Sequence, residues 1–247
     1  MKRNWSLRFA LSLAAAALAS LASAQPAADA PPPLWSGKAD LSYAATSGNT
    51  STSSFGTGVE VTYRPAPWKV EAKFALLRAS SDGVVTAEAY SGGLKGSREL
   101  TKTIEAFAGA GYYRNTFSGI DRRWEFDAGA GYKLLDGPAV FLRPELSFGY
   151  QTETQTAGVH QSFPMGRAGL KFVWKFAKGA EFANEFSYTD NLSTTDDWII
   201  KNAASISASL TSVFALKFGW AIIYDNVPVP GFRKRDSATS AALVAKF

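Results

Sequence analysis

The chain has 247 residues, with 26 Lys and Arg against 21 Asp and Glu, one histidine and no cysteine. Without cysteine, disulfides, thiolate metal ligands and a lipid-anchored lipoprotein are all excluded. One histidine then leaves carboxylates as almost the only metal ligands. We therefore expect no metal site and no cofactor.

The first 24 residues have the pattern of a secretory signal peptide. Basic residues precede an apolar run over 9–21, and small residues lead to a cleavage point between Ala24 and Gln25. The run is too short to cross ~30 Å of hydrocarbon. Its removal takes three of the 26 basic residues and leaves 23 against 21 acidic ones, about +2 net. This near balance, with no strong basic cluster, argues against a nucleic-acid partner.

The mature chain divides into a leader and one large domain. Residues 25–34 are rich in Pro and Ala and predict an extended periplasmic leader. From residue 35 to residue 247 no stretch approaches the ~18 consecutive apolar residues of a membrane-spanning helix. A helical membrane protein is therefore excluded.

Period-two alternation replaces the helical signal in this domain. One segment alternates bulky apolar residues with charged or small ones: Phe214, Leu216, Phe218, Trp220, Ile222 and Tyr224 against Ala215, Lys217, Gly219, Ala221, Ile223 and Asp225. Such segments run for about ten residues or more, which suits tilted membrane strands better than the ~5–6 residues of soluble sheets. Aromatic residues near the segment ends favour interfacial girdles, so a soluble sandwich is the weaker alternative.

Turn signals divide the domain into twelve segments: 36–47, 52–64, 68–80, 86–97, 103–115, 123–134, 139–152, 162–176, 180–190, 198–209, 213–225 and 236–247. The sequence therefore predicts an all-β fold, a transmembrane antiparallel β-barrel of twelve strands. Connectors 65–67, 136–138 and 177–179 are predicted to be short periplasmic turns, and 153–161, 190–197 and 226–235 to be longer exterior loops. In the fourth segment, the lipid-facing side is undecided.

The chain ends on Phe247, inside the last predicted strand. A terminal aromatic on an amphipathic strand resembles the signal read by the bacterial barrel-assembly machinery. An even number of strands places both termini in the periplasm, with Phe247 in the closing seam. The expected location is the cell outer membrane, with its lipid and lipopolysaccharide as neighbours; the oligomeric state stays open.

Five strings carry a more specific resemblance, in the order Trp35-Ser36-Gly37, Thr46-Ser47-Gly48-Asn49-Thr50, residues 117–123, Gly129-Ala130-Gly131-Tyr132 and residues 225–236. With these strings the chain from Trp35 onward resembles the YdiY-like family of salt-induced outer membrane proteins. The resemblance implies an outer-membrane barrel linked to salt or osmotic stress. It implies no catalytic or binding residues.

Charges of both signs fall on the faces predicted to point inward. The lumen-lining candidates are Lys69, Glu71, Lys73, Glu125, Asp127, Lys133, Arg143, Glu145, Arg167, Lys171, Glu185, Lys217 and Asp225. They would line an aqueous path, or they would pair across strands and plug the interior, since a barrel of this size permits either. Inward glycines such as Gly129 and Gly149 leave room and favour a passage.

An enzymatic interpretation depends on His160-Gln161-Ser162, where His and Ser share the lipid face. The string resembles the His-x-Ser of outer-membrane lipid hydrolases, but Phe163-Pro164 follow it and no orienting partner is evident. Our preferred hypothesis is a non-catalytic small passage or envelope-stress barrel. A plugged structural or surface-interaction barrel is the alternative, and a lipid hydrolase comes third.

Overall fold

The computed structural model describes residues 33–46 and 52–247. Their secondary structure is β except for one 3-10 turn at Thr116–Ser118. No helix in this part of the chain is long and apolar enough to span a bilayer. The predicted signal peptide 1–24 with its cleavage site at Ala24 and Gln25, most of the leader 25–34, and residues 47–50 of the second family string lie outside the described residues.

Twelve long antiparallel strands make up the fold and are numbered in chain order. They are β1 Trp35–Thr46, β2 Thr52–Tyr63, β3 Trp68–Ser81, β4 Val84–Glu99, β5 Ile104–Asn115, β6 Ile120–Tyr132, β7 Val140–Gln155, β8 His160–Ala177, β9 Ala180–Asn191, β10 Trp198–Ser209, β11 Phe214–Asp225 and β12 Arg235–Lys246. A two-residue strand, Leu135–Asp136, pairs with the start of β7.

The sheet closes on itself, which confirms the predicted barrel. Every long strand pairs with its sequence neighbours, and β1 pairs with β12. We call the rim that carries Trp35 and Phe247 the terminal end; it also carries the turns 64–67, 100–103, 133–139, 178–179 and 210–213. The opposite rim is the loop end, with connections 82–83, 116–119, 156–159, 192–197 and 226–234.

The seam between β1 and β12 is held near the terminal end. Residues 38–41 pair with 243–246. Phe247 extends this ladder, because Gly37 N donates to Phe247 O at 2.7 Å and Phe247 N donates to Gly37 O at 3.0 Å. A Cβ at Gly37 would fall on the Phe247 ring, so glycine leaves room for the terminal aromatic. Phe247 is thus part of the closing seam.

The outer surface is apolar along the strands. On β11, the outward Phe218 is 63% exposed, whereas Ala215, on the inward face of the same strand, is 1% exposed. Aromatic pairs mark both rims: the ring centroids of Trp35 and Tyr63 lie 4.2 Å apart at the terminal end, and those of Trp198 and Tyr224 lie 5.3 Å apart at the loop end. Such a continuous apolar band between aromatic girdles is the surface that a bilayer covers.

Two predicted connectors were wrong. The predicted loop 153–161 shrinks to 156–159 because Thr154 pairs with His160, so the ladder continues where the alternation has turned polar. The predicted turn 136–138 is part of a longer segment, 133–139, in which Leu135 pairs with Leu142. Backbone pairing beyond the apolar zone leaves no hydrophobic period for a sequence to show.

The undecided lipid face of β4 is also settled. Leu94 is 55% exposed on the outer surface. Lys95 points inward, where its Nζ donates to Glu145 Oε2 at 2.7 Å, and Ser97 is 1% exposed. The even-numbered residues in this part of β4 therefore face outward.

Candidate functional site

Ion pairs occupy the interior of the barrel. Twelve of the thirteen residues predicted to line the lumen take part in at least one of them, and the thirteenth, Lys133, forms its ion pairs at the rim. They are not spread evenly along the lumen. They gather at successive levels from the terminal end to the loop end.

Lys133 departs from the expected position, because β6 ends at Tyr132 and Lys133 lies in the following turn at the terminal rim. Its Nζ lies 2.6 Å from Glu99 Oε1 and 3.7 Å from Asp136 Oδ2. Burial opposes the charged form, but the hydrogen bond and charge of Glu99 outweigh it, so the pKa of Lys133 is raised above its usual value. This residue stabilises the rim.

The terminal-end cluster comprises Lys69, Lys95, Glu105, Arg143 and Glu145. Arg143 lies at its centre, with Nη1 2.9 Å from Glu105 Oε2 and Nη2 2.6 Å from Glu145 Oε1. Lys69 reaches Glu105 at 3.3 Å, and Lys95 reaches Glu145 at 2.7 Å. The cluster joins β3, β4, β5 and β7. Since Arg143 and Glu105 are about 95% buried, it closes this side of the lumen tightly.

A central cluster surrounds Glu125 on β6. Its carboxylate lies against the Arg167 guanidinium and 3.0 Å from Lys201 Nζ, which extends from β10. Arg167 also reaches Asp127 at 3.3 Å, and Ser147 Oγ donates to Asp127 Oδ2 at 2.7 Å. Three strands separate β6 from β10 along the wall, so the Glu125–Lys201 contact crosses the interior.

One ion pair spans the full lumen. Lys73 on β3 lies 3.0 Å from Glu185 on β9, and these strands are directly opposite in a ring of twelve. The side chains are 43% and 52% exposed, far more than the clusters on either side. Lys171 approaches the same carboxylate at 3.5 Å, and Glu60 approaches Lys73 at 3.8 Å. Water therefore reaches a bridge in which each charge has a second partner.

Lys217, another of the thirteen predicted residues, lies 3.4 Å from Asp40. This pair joins β11 to β1 across the inner side of β12. Glu71 lies beside the terminal-end cluster, 3.3 Å from Lys69.

The loop-end cluster is drier. Arg123 Nη2 lies 2.6 Å from Glu153 Oε2 and 3.7 Å from Asp225 Oδ2, and the Arg123 and Glu153 side chains are 4% and 1% exposed. The amides of Gln155 and Gln161 donate to the other Glu153 oxygen at 3.5 Å and 3.2 Å. This cluster joins opposite walls with no room for a solute between them.

A cavity of about 510 Å³ lies between these levels. It is lined by side chains from β3 to β11 and has charged groups of both signs on its walls, including Lys73, Lys171, Lys201, Glu71, Glu125 and Glu185. Small residues such as Gly109 and Gly169 complete the wall. A cavity of this size holds several water molecules or one small polar solute.

The loop 226–234 lies over the loop-end mouth. Val229 is 8% exposed, and a Cβ on Gly119 would come within 2.8 Å of Val229 and 2.7 Å of Phe232. Gly119 belongs to the connection between β5 and β6, across the ring from β11 and β12. Asn226 Nδ2 also donates to Asp196 O at 2.7 Å. The loop therefore bridges the mouth and contacts two other connections; we call residues 226–234 the cap.

Four interior charges escaped the sequence analysis: Lys95, Glu105, Arg123 and Glu153. Lys95 lies on the strand whose face was undecided. Glu105, Arg123 and Glu153 lie near strand ends, beyond the apolar alternation that defined the inward faces. Parity counted to the ends of the predicted strands would have found Glu105 and Arg123, and parity counted to the observed strand end at Gln155 would have found Glu153.

The His160–Ser162 pair lies on the outer face at the loop end. His160 Nε2 is 3.4 Å from Ser162 Oγ, and His160 Nδ1 is 3.3 Å from Thr154 Oγ1. The serine hydroxyl donates to Thr152 Oγ1 at 2.9 Å rather than to the histidine. Among the described residues no carboxylate is bonded to His160, so this site lacks the acidic group that would stabilise an imidazolium.

The described residues contain no group of three or more His, Asp or Glu side chains arranged to hold a metal ion. The carboxylates of the lumen are instead neutralised by Lys and Arg.

The fold and its charged interior define a β-barrel of the outer-membrane type. A family profile described as "Protein of unknown function, DUF481" matches residues 39–247, and the chain belongs to this family. It is 24% identical over 194 residues to "Uncharacterized protein YdiY" of Escherichia coli (strain K12), covering 78% of this chain and 75% of that protein. The suspected YdiY-like assignment is confirmed.

Solved outer-membrane barrels are similar in overall shape. The NanC porin has a TM-score of 0.49 at 8% identity, covering 86% of this chain and 97% of that one. The COG4313 outer membrane channel from Pseudomonas putida F1 has a TM-score of 0.49 at 14% identity, covering 91% and 100%.

Proposed function

We propose that this chain lies in the outer membrane and lets small polar solutes pass along a narrow, ion-paired lumen. The apolar band between aromatic girdles supports the membrane location, as does the predicted signal peptide. On this proposal the terminal end faces the periplasm and the loop end faces the lipopolysaccharide surface.

The observation that carries the proposal is the water-exposed Lys73–Glu185 bridge in a charged cavity. Because its side chains are about half exposed within the lumen, a passing solute breaks this pair at a smaller cost than it would a fully buried pair such as Arg123–Glu153. Glu185 then remains paired with Lys171, and Lys73 remains paired with Glu60. A solute of either sign, or a neutral polar one, therefore finds a partner in the lumen without leaving a buried charge unpaired.

The loop-end cluster and the cap would form the gate of this passage. The Arg123–Asp225 contact joins opposite walls of the lumen beside the buried Arg123–Glu153 pair, and Val229 and Phe232 seat the cap on the opposite connection. Passage requires the cap to lift and Asp225 to move away from Arg123. The Arg123–Asp225 contact, at 3.7 Å, is easier to break than the Arg123–Glu153 contact, at 2.6 Å. Salt favours this opening by screening its more exposed charges, which would suit a role under salt stress.

A plugged structural barrel is the second candidate, and the burial of Arg123 and Glu153 favours it. Planar-bilayer recording of the refolded protein separates the two. The passage predicts brief, small current steps that grow more frequent with salt. A wild-type protein that inserts into the bilayer but gives no step at any salt concentration or voltage would establish the plugged barrel.

Two partner assignments belong to this proposal. Phe247, 70% exposed at the end of the seam, is placed to be read by the barrel-assembly machinery. Lipopolysaccharide would contact the loop end, where Arg233, Lys234 and Arg235 are exposed and carry the positive charge that binds phosphate groups.

A further inference from the structure

The wall of the barrel is incomplete between β1 and β12. Their ladder ends at Leu41 and Leu243, and no pairing follows toward the loop end, although Ser42–Thr46 pairs with β2 and residues 235–242 pair with β11. The unpaired part of β1 is five residues long, roughly 15 Å along a strand. All other neighbouring strands pair over most of their length.

The side chains on the β12 side of this gap are small. Residues 237–242 of β12 read Ser-Ala-Thr-Ser-Ala-Ala. Ala238 and Ser240 alternate with the outward residues of β12 and therefore point toward the lumen. Both are nevertheless exposed. Ser240 Oγ lies 2.9 Å from a Cβ placed on the inward Gly219, which fixes that direction. The β12 side of the gap therefore carries no bulky side chain on either face.

The Asp40–Lys217 pair marks the limit of the gap on the side of the terminal end. Asp40 pairs with Val244 and Lys217 with Ala242, so their 3.4 Å contact crosses the inside of β12 where the β1–β12 ladder stops. Between this level and the loop end, the described residues of the seam form neither backbone pairs nor an ion pair. The charged pair therefore lies where the paired part of the seam ends, and it presents both a positive and a negative group to a ligand at the gap.

An unpaired strand edge is not stable against hydrocarbon alone, because each exposed backbone group costs several kcal/mol; it persists where it lines a wet or polar site. We propose that this gap is a side opening that admits an amphiphile with a zwitterionic head. The head enters the lumen at Asp40 and Lys217, while the acyl chain stays in the outer leaflet beside Tyr43 and Ala241. The inference rests on the water-filled lumen proposed above and adds a second route, since the cap covers the axial one.

The absence of native cysteine makes the opening testable by cross-linking. Continuing the observed register places Tyr43 opposite Ala241. The double variant Tyr43→Cys with Ala241→Cys is compared with Ala39→Cys with Ala245→Cys, which are paired on the same face. Paired Cα atoms lie within disulfide range. We expect the control to oxidise at least about fivefold more. Equal oxidation would show a closed seam and overturn the proposal.

The amphiphile is tested in phosphatidylcholine liposomes containing radiolabelled lysophosphatidylcholine. A photoreactive benzoylphenylalanine replaces Ser240, or Ser205, an inward residue on the closed wall, as the control. We expect about tenfold more lipid captured at position 240 and loss of this excess when the Tyr43→Cys and Ala241→Cys thiols are bridged with a short bis-methanethiosulfonate.

The two proposals fail separately. Lipid capture at position 240 without ion current would leave the side opening in place and remove the axial passage. No excess capture at position 240, or capture of a second protein chain there, would overturn the side opening whatever the current shows.

Discussion

At the residue scale, burial decides which ion pairs matter for stability. Arg123 and Glu153 are almost completely buried, and removing one partner of such a pair costs about 3–5 kcal/mol because the other charge is left unpaired. We expect Arg123→Met to lower the free energy of unfolding by this amount in urea titrations of the protein refolded into liposomes.

Arg78→Met is the matched control, since Arg78 is 57% exposed and lies 3.8 Å from Glu88. Its expected effect is below about 1 kcal/mol. Equal effects of the two substitutions would contradict the assignment of the loop-end cluster as a dry closure.

Phe247 gives a second prediction at this scale, because its backbone closes the seam while its ring lies outside. Phe247→Ala keeps both hydrogen bonds to Gly37, so the folded barrel should retain its stability. We expect folding assisted by the assembly machinery to slow several-fold, measured by the heat-dependent shift in gel mobility. Leu243→Ala, also outward on β12, is the control, and equal rates for the two variants would refute the role of the terminal aromatic.

The direction of each side chain, inward or outward, could be predicted well where the alternation is regular. Lys73, Glu125 and Glu185 were expected inside because bulky apolar neighbours fix the outward parity. Arg123 was missed because it stands at the predicted start of its strand, before Trp124 opens the apolar alternation, and Glu153 because it lies beyond the predicted end of its strand at 152. Which charges meet was beyond the sequence, since Lys73 and Glu185 are 112 residues apart and meet only when the ring closes.

At the scale of elements, glycine has a different use from the one expected. Inward glycines were expected to widen the lumen, yet a Cβ on Gly149 would strike Phe126 O, and one on Gly129 would strike Leu146 O. These two glycines let β6 and β7 approach closely. Gly109, Gly111 and Gly169 do line the cavity, as the passage hypothesis assumed.

We therefore expect Gly149→Ala to separate β6 from β7 and reduce the yield of folded barrel by about tenfold, read from heat-modifiable gel mobility. Gly96→Ala is the control, because an added Cβ there meets nothing within 4 Å. Normal folding of Gly149→Ala would show that the β6–β7 contact relaxes without cost.

The cap yields the next prediction. Replacing residues 226–233 by an Asn-Gly turn joins Asp225 to Lys234 through a two-residue hairpin and keeps the register of β11 and β12. Removal of Val229 and Phe232 from the mouth should raise the open probability in bilayer recordings several-fold. The point variant Phe232→Ser, which keeps the loop length, should have a smaller effect of the same sign. Unchanged currents in both would mean that the cap does not limit passage.

Strand positions were predicted closely, and errors occurred near the two rims of the barrel. The predicted start of the sixth strand at 123 becomes 120, and the predicted end of the seventh at 152 becomes 155. Backbone hydrogen bonding continues in water-exposed rims, where no apolar period reports it. The cap could be expected as a loop, but its contact with Gly119 depends on the barrel bringing opposite connections together.

At the scale of the whole molecule, twelve strands place this barrel between a filled interior and an open channel. The structure contains features of both: tight clusters at each end and a wet, charged cavity between them. Strand number and closure were predictable from periodicity and parity. The division of the lumen into dry and wet levels was not, because it depends on distances across the ring.

The central claim is that solutes pass Lys73, and cysteine modification tests it most directly. In a Lys73→Cys bilayer recording, a charged methanethiosulfonate should change the open-channel current stepwise from both sides, whereas Phe74→Cys, on the lipid face, should leave it unchanged. Current through Lys73→Cys that the reagent never alters would contradict the passage, as would the absence of current from inserted protein.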